Sequence, residues 1–75
     1  MYNYIIGKIT VVDSDSITLE NNGIGYLIHT PNPYAFKEGE EYKVYLYHQI
    51  KEDELLLFGF KSIGEKELFL KLINI

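Results

Sequence analysis

The chain has 75 residues, enough for one domain, and 47% of them are hydrophobic, enough for a small core. It contains no cysteine, which excludes disulfides, thiolate metal sites and a cysteine nucleophile. Seven lysines stand against eleven acidic residues, there is no arginine, and the net charge is −4. This balance argues against a domain that binds a nucleic-acid backbone on its own.

The first part of the chain predicts three short β-strands. The first runs from Ile5 to Val12, and period two places four of its residues on one face: Ile5, Gly7, Ile9 and Val11. Residues 17–20 alternate between apolar and polar side chains, which is typical of a half-buried strand. Asn21-Asn22-Gly23 then favours a tight hairpin turn into a third strand over residues 24–29.

The middle of the chain predicts a connector and two longer strands. Pro31 and Pro33 break the strand pattern and leave room for one helical turn. The longest strand is expected over residues 41–50 and a fifth over residues 55–60. The fifth strand is apolar on both faces, so its second face needs a cover. A following helix alone, or that helix together with a subunit interface, would provide it.

The period changes after the fifth strand, which predicts a C-terminal helix. Ser62 and Glu65 have the spacing of a capping box, with Ser62 as the N-cap. We expect this helix to cover part of the fifth strand through Leu68, Phe69 and Leu72. The predicted fold class is all-β: a five-stranded OB-like antiparallel barrel followed by a C-terminal helix.

The residue pattern predicts neither catalysis nor a cofactor. No serine lies in a nucleophile elbow, and Gly23-Ile24-Gly25 lacks the rest of a dinucleotide-binding motif. His29 and His48 lie in predicted strands without zinc-ligand spacing, so we expect structural roles and no metal site. No apolar run approaches the roughly 18 residues that cross a bilayer. We therefore expect a cytoplasmic protein without a membrane partner.

Lys51-Glu52-Asp53-Glu54 is the sharpest local feature of the sequence. It lies between two apolar strands, so it is predicted to form a hairpin tip that places three carboxylates side by side. One interpretation is an ordinary solvated turn, because charged residues are common at loop tips. The other is a charged probe directed at an ionic partner. The segment alone leaves both open.

Four segments together resemble the N-terminal domain of the bacterial Holliday-junction branch-migration protein family RuvA. They are Ile5-Ile6-Gly7-Lys8-Ile9, Asn22-Gly23-Ile24-Gly25-Tyr26, the run from Lys51 to Phe60, and the run from Glu65 to Ile73. Their order and spacing cover nearly the whole chain. The resemblance implies a non-catalytic scaffold that binds four-way DNA junctions as a homotetramer during homologous recombination and DNA repair.

The resemblance also implies residue roles, further domains and partners. Glu52 and Asp53 correspond to an acidic pin at the junction centre, and Lys51 to its flanking base. Residues 1–62 would form the barrel domain, and residues 63–75 would begin a helix-hairpin-helix domain that continues in a longer protein. The partners would be the motor ATPase RuvB and the resolvase RuvC. The alternative is a free-standing OB module for single-stranded nucleic acid or a protein partner.

Overall fold

The protein is described here from a computed structural model covering residues 3–51 and 54–73. These residues form strands β1 (Tyr4–Val12), β2 (Ser16–Asn21), β3 (Ile24–His29), β4 (Glu41–Lys51) and β5 (Glu54–Phe60), followed by helix α1 (Ile63–Ile73). A short 3₁₀ turn, Pro33–Ala35, lies between β3 and β4. The strands close into a barrel in the order β1-β2-β3-β5-β4. The predicted OB-like barrel with a C-terminal helix is therefore confirmed.

The barrel closes through one parallel contact. β1–β2, β2–β3, β1–β4 and β4–β5 pair antiparallel, whereas β3 and β5 pair parallel at His29 and Phe58. β1 and β3 run in the same direction, because each is antiparallel to β2. β4 runs opposite to β1, and β5 runs opposite to β4, so β5 runs parallel to β3 where the two strands close the barrel. This order places the β2–β3 turn and the Lys51–Glu54 pair of β4 and β5 at the same end of the barrel.

The β2–β3 connection is the tight hairpin that the sequence predicts. Asn21 pairs with Ile24, so Asn22 and Gly23 form a two-residue turn. Both have positive φ, 53° at Asn22 and 81° at Gly23. Two consecutive positive φ values match the right-handed twist of the strands that a two-residue turn joins, and Asn-Gly adopts them at low cost.

The core fills the barrel with aliphatic side chains from four strands and one ring from the connector. Its buried members are Ile9, Ile17, Leu19, Ile28, Phe36, Val44 and Leu46. Gly59 faces the same interior, where a Cβ would lie 2.5 Å from Ile28 Cγ2 and 2.6 Å from Val44 Cγ1. Glycine is therefore required there, because β5 approaches the neighbouring side chains too closely for any other residue.

One prediction for β1 was wrong. Period two placed Val11 on the face of Ile9, but the β1–β2 register shifts between Ile9 and Val11. This irregularity adds one residue on β1, so Val11 becomes exposed and Val12 packs against the core. A bulge inverts the facing of every residue beyond it, which the alternation of the sequence does not reveal.

Helix α1 begins as the capping box predicts, with one difference. The backbone N–H of Glu65 donates to Ser62 Oγ at 3.2 Å, so Ser62 is the N-cap. The Glu65 carboxylate reaches back and accepts from the backbone N–H of Lys61 at 3.2 Å, one residue before the cap. Both bonds satisfy donors near the helix start and fix its direction after β5.

Candidate nucleic-acid interface

The far part of the β4–β5 hairpin is a two-stranded ribbon. Seven consecutive pairs join the two strands without a register shift, from Tyr45–Phe60 to Lys51–Glu54. The pairing of β4 with β1 ends at Tyr4–Tyr45, and the backbone N–H of Leu46 still donates to the Asn3 carbonyl at 2.9 Å. Beyond those contacts, residues 48–51 and 54–57 form ladder pairs only with each other in the described part of the chain. The ribbon therefore extends past the body of the barrel.

The predicted pin lies at the end of this ribbon in sequence. Lys51 is the last residue of β4, Glu54 is the first of β5, and the two are paired. Glu52 and Asp53, the two residues between them, lie outside the described residues. The regular register up to Lys51 and Glu54 fits the predicted hairpin, and the roles of Lys51, Glu52 and Asp53 stay predictions.

Directly inside the Lys51–Glu54 pair lies an exposed apolar pair. Ile50 and Leu55 are directly opposite each other and are 73% and 60% exposed. They lie on the side of the ribbon that faces the core further down, where Leu46 is buried and Leu57 packs against the core cluster. The interior face of the barrel thus continues outward as an apolar surface beside the acidic segment.

A cavity opens at this end of the barrel, below the ribbon. Its volume is about 190 Å³, and it is lined by Tyr4, Ile5, Asn21, Tyr26, Ile28, Leu46 and Leu57. The Asn21 side-chain amide donates to the Ile6 carbonyl at 2.6 Å, which fixes one rim of the opening. The cavity and the ribbon share Leu57, so the apolar face runs from the barrel interior towards Leu55.

The opposite side of the ribbon is held by an aromatic cluster. Phe69 of α1 lies 5.4 Å from Phe58, 5.0 Å from Phe60 and 6.0 Å from Tyr47, between ring centroids. The His29 ring lies 5.8 Å from Phe58 across the parallel seam. Rings at these separations attract each other beyond the area they bury. The helix therefore braces the base of the ribbon.

Helix α1 covers the outer face of β5 mainly through Phe69. Phe69 packs against it as predicted, but Leu68 and Leu72 remain 60% and 62% exposed and only line a shallow groove next to Phe36 and Phe60. The expected cover by Leu68 and Leu72 was therefore wrong. Within α1, Lys66, Phe69 and Leu70 are half-buried and the other residues are exposed, so the side of the helix next to the barrel is the one that carries Phe69.

Two of the described lysines, Lys43 and Lys61, lie over aromatic rings. Lys43 Nζ lies 4.4 Å from the Tyr4 ring centroid and 5.3 Å from that of Tyr45. Lys61 Nζ lies 5.3 Å from the Tyr42 ring and 5.9 Å from that of Phe36. A cation over a ring face is attracted by the ring's electron density. Lys43 and Lys61 lie over different sets of rings, so these two lysines do not form a continuous basic groove.

Residues 3–51 and 54–73 also bear on metal binding, membrane insertion and histidine chemistry. No group of three or more His, Asp or Glu residues within those ranges is arranged to hold a metal ion. No helix there is long and apolar enough to cross a membrane. His29 packs on Phe58, and His48 lies opposite Leu57 in the ribbon. Both histidines therefore lie within the barrel wall and its ribbon.

Sequence reasoning missed two features of this region. The exposure of Ile50 and Leu55 was not predicted, because alternation gives the face of a residue and not the height of the barrel wall beside it. The contacts of Lys43 with Tyr4 and Tyr45 were also missed. Period two does place Lys43 and Tyr45 on one face of β4, but Tyr4 joins them only through the β1–β4 register.

The described residues thus form an OB-fold domain, a closed five-stranded barrel whose β4–β5 ribbon is braced by the C-terminal helix. The sequence profile of the family described as the RuvA N terminal domain matches residues 1–59. The chain belongs to this family.

The chain is also similar to longer proteins from two bacteria. Over 76 aligned positions, the whole chain is 45% identical to the Holliday junction branch migration complex subunit RuvA of Bacillus cytotoxicus and covers 37% of it. Over 77 positions it is 46% identical to the subunit of the same name from Streptococcus pneumoniae, covering 39%. The chain thus spans about two fifths of the length of these relatives.

Proposed function

We propose that this chain acts as the barrel domain of a subunit that binds Holliday junctions during branch migration in homologous recombination and DNA repair. The observation that carries the proposal is the projecting β4–β5 ribbon, which leads to Lys51, Glu52 and Asp53 in a chain of this family. The relatives are named as subunits of a branch migration complex. The domain would contribute architecture and charge, and catalysis would belong to a separate motor protein.

The acidic residues suit a role in shaping the DNA rather than in binding it tightly. Residues 51–54 carry three carboxylates and one ammonium group, a net charge of −2 in four residues. Carboxylates near a crossover repel phosphates, which disfavours close passage of paired strands and keeps the arms apart. The same repulsion weakens binding to ordinary duplex, so it raises selectivity for an open junction.

The remaining parts of the proposal concern assembly and context. Residues 1–62 would be the barrel domain, and residues 63–75 would start a helix-hairpin-helix domain that supplies the phosphate contacts. The full-length protein would form a homotetramer in the cytoplasm and work with RuvB and RuvC. A free-standing OB module is not favoured, since both relatives are longer proteins that contain this domain.

The proposal is tested with Glu52→Gln together with Asp53→Asn in the full-length protein. Removing two charges beside phosphates should strengthen duplex binding several-fold at low salt and reduce discrimination between junction and duplex. The gain should shrink as salt rises, because exposed charges are screened over about 8–10 Å at ordinary ionic strength. The affinities are measured for duplex and four-way junction across a salt series.

The matched control is Asp13→Asn with Asp15→Asn. It removes the same charge from the exposed β1–β2 connection, at the end of the barrel opposite the ribbon. Its duplex affinity should change much less than that of the pin variant. If both variants bind duplex equally well, position does not matter, and Glu52 and Asp53 are an ordinary solvated turn.

A further inference from the structure

The side of the ribbon next to the acidic residues carries an apolar surface that the barrel does not use. Ile50 and Leu55 are directly opposite each other, one ladder position inside Lys51–Glu54. They are 73% and 60% exposed, although the same face of the hairpin is buried at Leu46. Two large aliphatic side chains on paired strands at an exposed hairpin end form a continuous apolar surface that a partner could contact.

We infer that Ile50 and Leu55 contact the faces of nucleobases at the centre of a four-way junction, next to Glu52 and Asp53. This inference rests on the proposed function. It assigns to the ribbon a second, apolar element beside the charged one. The carboxylates would exclude phosphates, and the aliphatic pair would bind the part of the DNA that carries no charge.

The charge around the pair selects this occupant. Any DNA segment that reaches Ile50 and Leu55 also approaches Glu52, Asp53 and Glu54, which repel a phosphate backbone. A base face is uncharged and apolar, and where the strands of a junction part, the last base pair of each arm loses a stacking neighbour. Covering that face restores contact with an apolar surface, whichever base is present, because every base has a π-face.

The shape of the ribbon supports the same assignment. Residues 48–51 and 54–57 form ladder pairs only with each other among the described residues, so the ribbon is narrow where it carries the pair. Phe69 braces its other side against Phe58 and Tyr47. A narrow, braced ribbon with an aliphatic face can be placed against a base pair without a large ordering cost.

The test uses the full-length protein and the variant Ile50→Thr with Leu55→Thr. Threonine is β-branched and favours strands, so the hairpin should persist while the apolar face is lost. The control is Val11→Thr, which removes an exposed apolar side chain from β1 at the opposite end of the barrel. Junctions carry 2-aminopurine either at the crossover or well inside one arm, and its fluorescence is recorded with and without protein.

The expected result is specific to the crossover. Wild type and Val11→Thr should change the fluorescence of the crossover base, and the double threonine variant should lose most of that change. Its junction affinity should fall about tenfold, or about 1.4 kcal/mol, with duplex affinity unchanged. The slope of affinity against salt should stay as in wild type, because no phosphate contact is removed.

Three outcomes would overturn the inference. The double variant could retain the crossover signal and the junction affinity, in which case the pair contacts no base. It could lose its native molar mass in solution, which would assign the pair to contacts between copies. It could change the arm signal as much as the crossover signal, which would show a global effect. If threonine at both positions prevents folding, Ile50→Thr and Leu55→Thr are tested singly against the same criteria.

A different set of results would contradict the proposed function itself. In that case wild type would show no preference for a junction over duplex, and Glu52→Gln with Asp53→Asn would not alter duplex binding. If those two results hold and only the crossover signal of the threonine variant is unaffected, the proposed function stands and the base contact is wrong.

Discussion

Phe58 and Phe69 stack with their ring centroids 5.4 Å apart and their planes inclined by 30°. Phe58 lies on β5 opposite Tyr47 of β4, and it also meets His29 across the parallel seam. Phe69 of α1 thus packs on β5 at the point where β5 pairs with both β3 and β4, which is also the base of the ribbon. The stability of the barrel and the position of the ribbon therefore depend on the same contact.

Phe69→Ala should lower the free energy of unfolding by about 2–3 kcal/mol, since a partly buried ring and its aromatic contacts are lost. Alanine favours helix more than phenylalanine does, so the loss cannot come from helix propensity. Leu72→Ala on the same helix is the control, because Leu72 is mostly exposed, and it should change stability by about 0.5 kcal/mol or less. Urea unfolding of the 75-residue chain measures both, and equal losses would contradict the role of Phe69.

Gly59→Ala should destabilise the barrel by about 1–3 kcal/mol, because the new methyl group overlaps Ile28 and Val44. Gly25→Ala is the control: its Cβ would meet only Thr18 Cγ2, at an ordinary 3.5 Å. Adding Val44→Ala to Gly59→Ala should cost less than the sum of the two single changes, because the truncated side chain makes room. Additive losses in thermal unfolding would show that the crowding is not at Val44.

Ser62→Ala should cost about 1 kcal/mol, because the Glu65 backbone N–H loses its acceptor at the start of α1. Ser14→Ala, at an exposed serine in the β1–β2 connection, should have little effect. Hydrogen exchange of the amides in the first turn of α1 should quicken in Ser62→Ala and not in the control. Unchanged exchange at Glu65 would mean that Ser62 does not cap the helix.

The 75-residue chain alone should bind a four-way junction far more weakly than a full-length protein that contains it. The reasons are the net charge of −4 and the absence of arginine, which leave few groups to pair with phosphates. Titration of fluorescent junctions at about 150 mM salt compares the two. Submicromolar, junction-specific binding by the short chain would contradict this expectation.

The sequence predicted those parts of the fold that depend on neighbours along the chain. Alternation revealed the strands, Asn22-Gly23 the hairpin, and Ser62 with Glu65 the helix start, because each is set within a few residues. The failures at Val11, Leu68 and Leu72 depend on distant partners. A bulge is fixed by the opposite strand, and the buried stripe of a helix is fixed by the curvature of the barrel beneath it.

The candidate site likewise has one feature that the sequence reveals and one that depends on distant strands. The acidic segment of residues 51–54 is visible in the sequence because its three adjacent carboxylates separate two strongly apolar strands. The exposure of Ile50 and Leu55 is not visible, because it depends on where β1 and β3 stop pairing with the hairpin. The length of a strand follows from the residues of that strand. The position at which its neighbours stop pairing with it depends on the arrangement of all five strands.

The strand order also has a consequence during synthesis. A ribosome releases β1 first, but β1 meets its second neighbour only when β4 emerges, and β3 meets its second neighbour only when β5 emerges. The early strands β1–β3 therefore wait as an open sheet with two unpaired edges, the state in which strands join other nascent chains. Until residues 41–60 have paired with this sheet, each new copy exposes both edges, and Phe69 then covers Phe58 and Phe60 on the outer face.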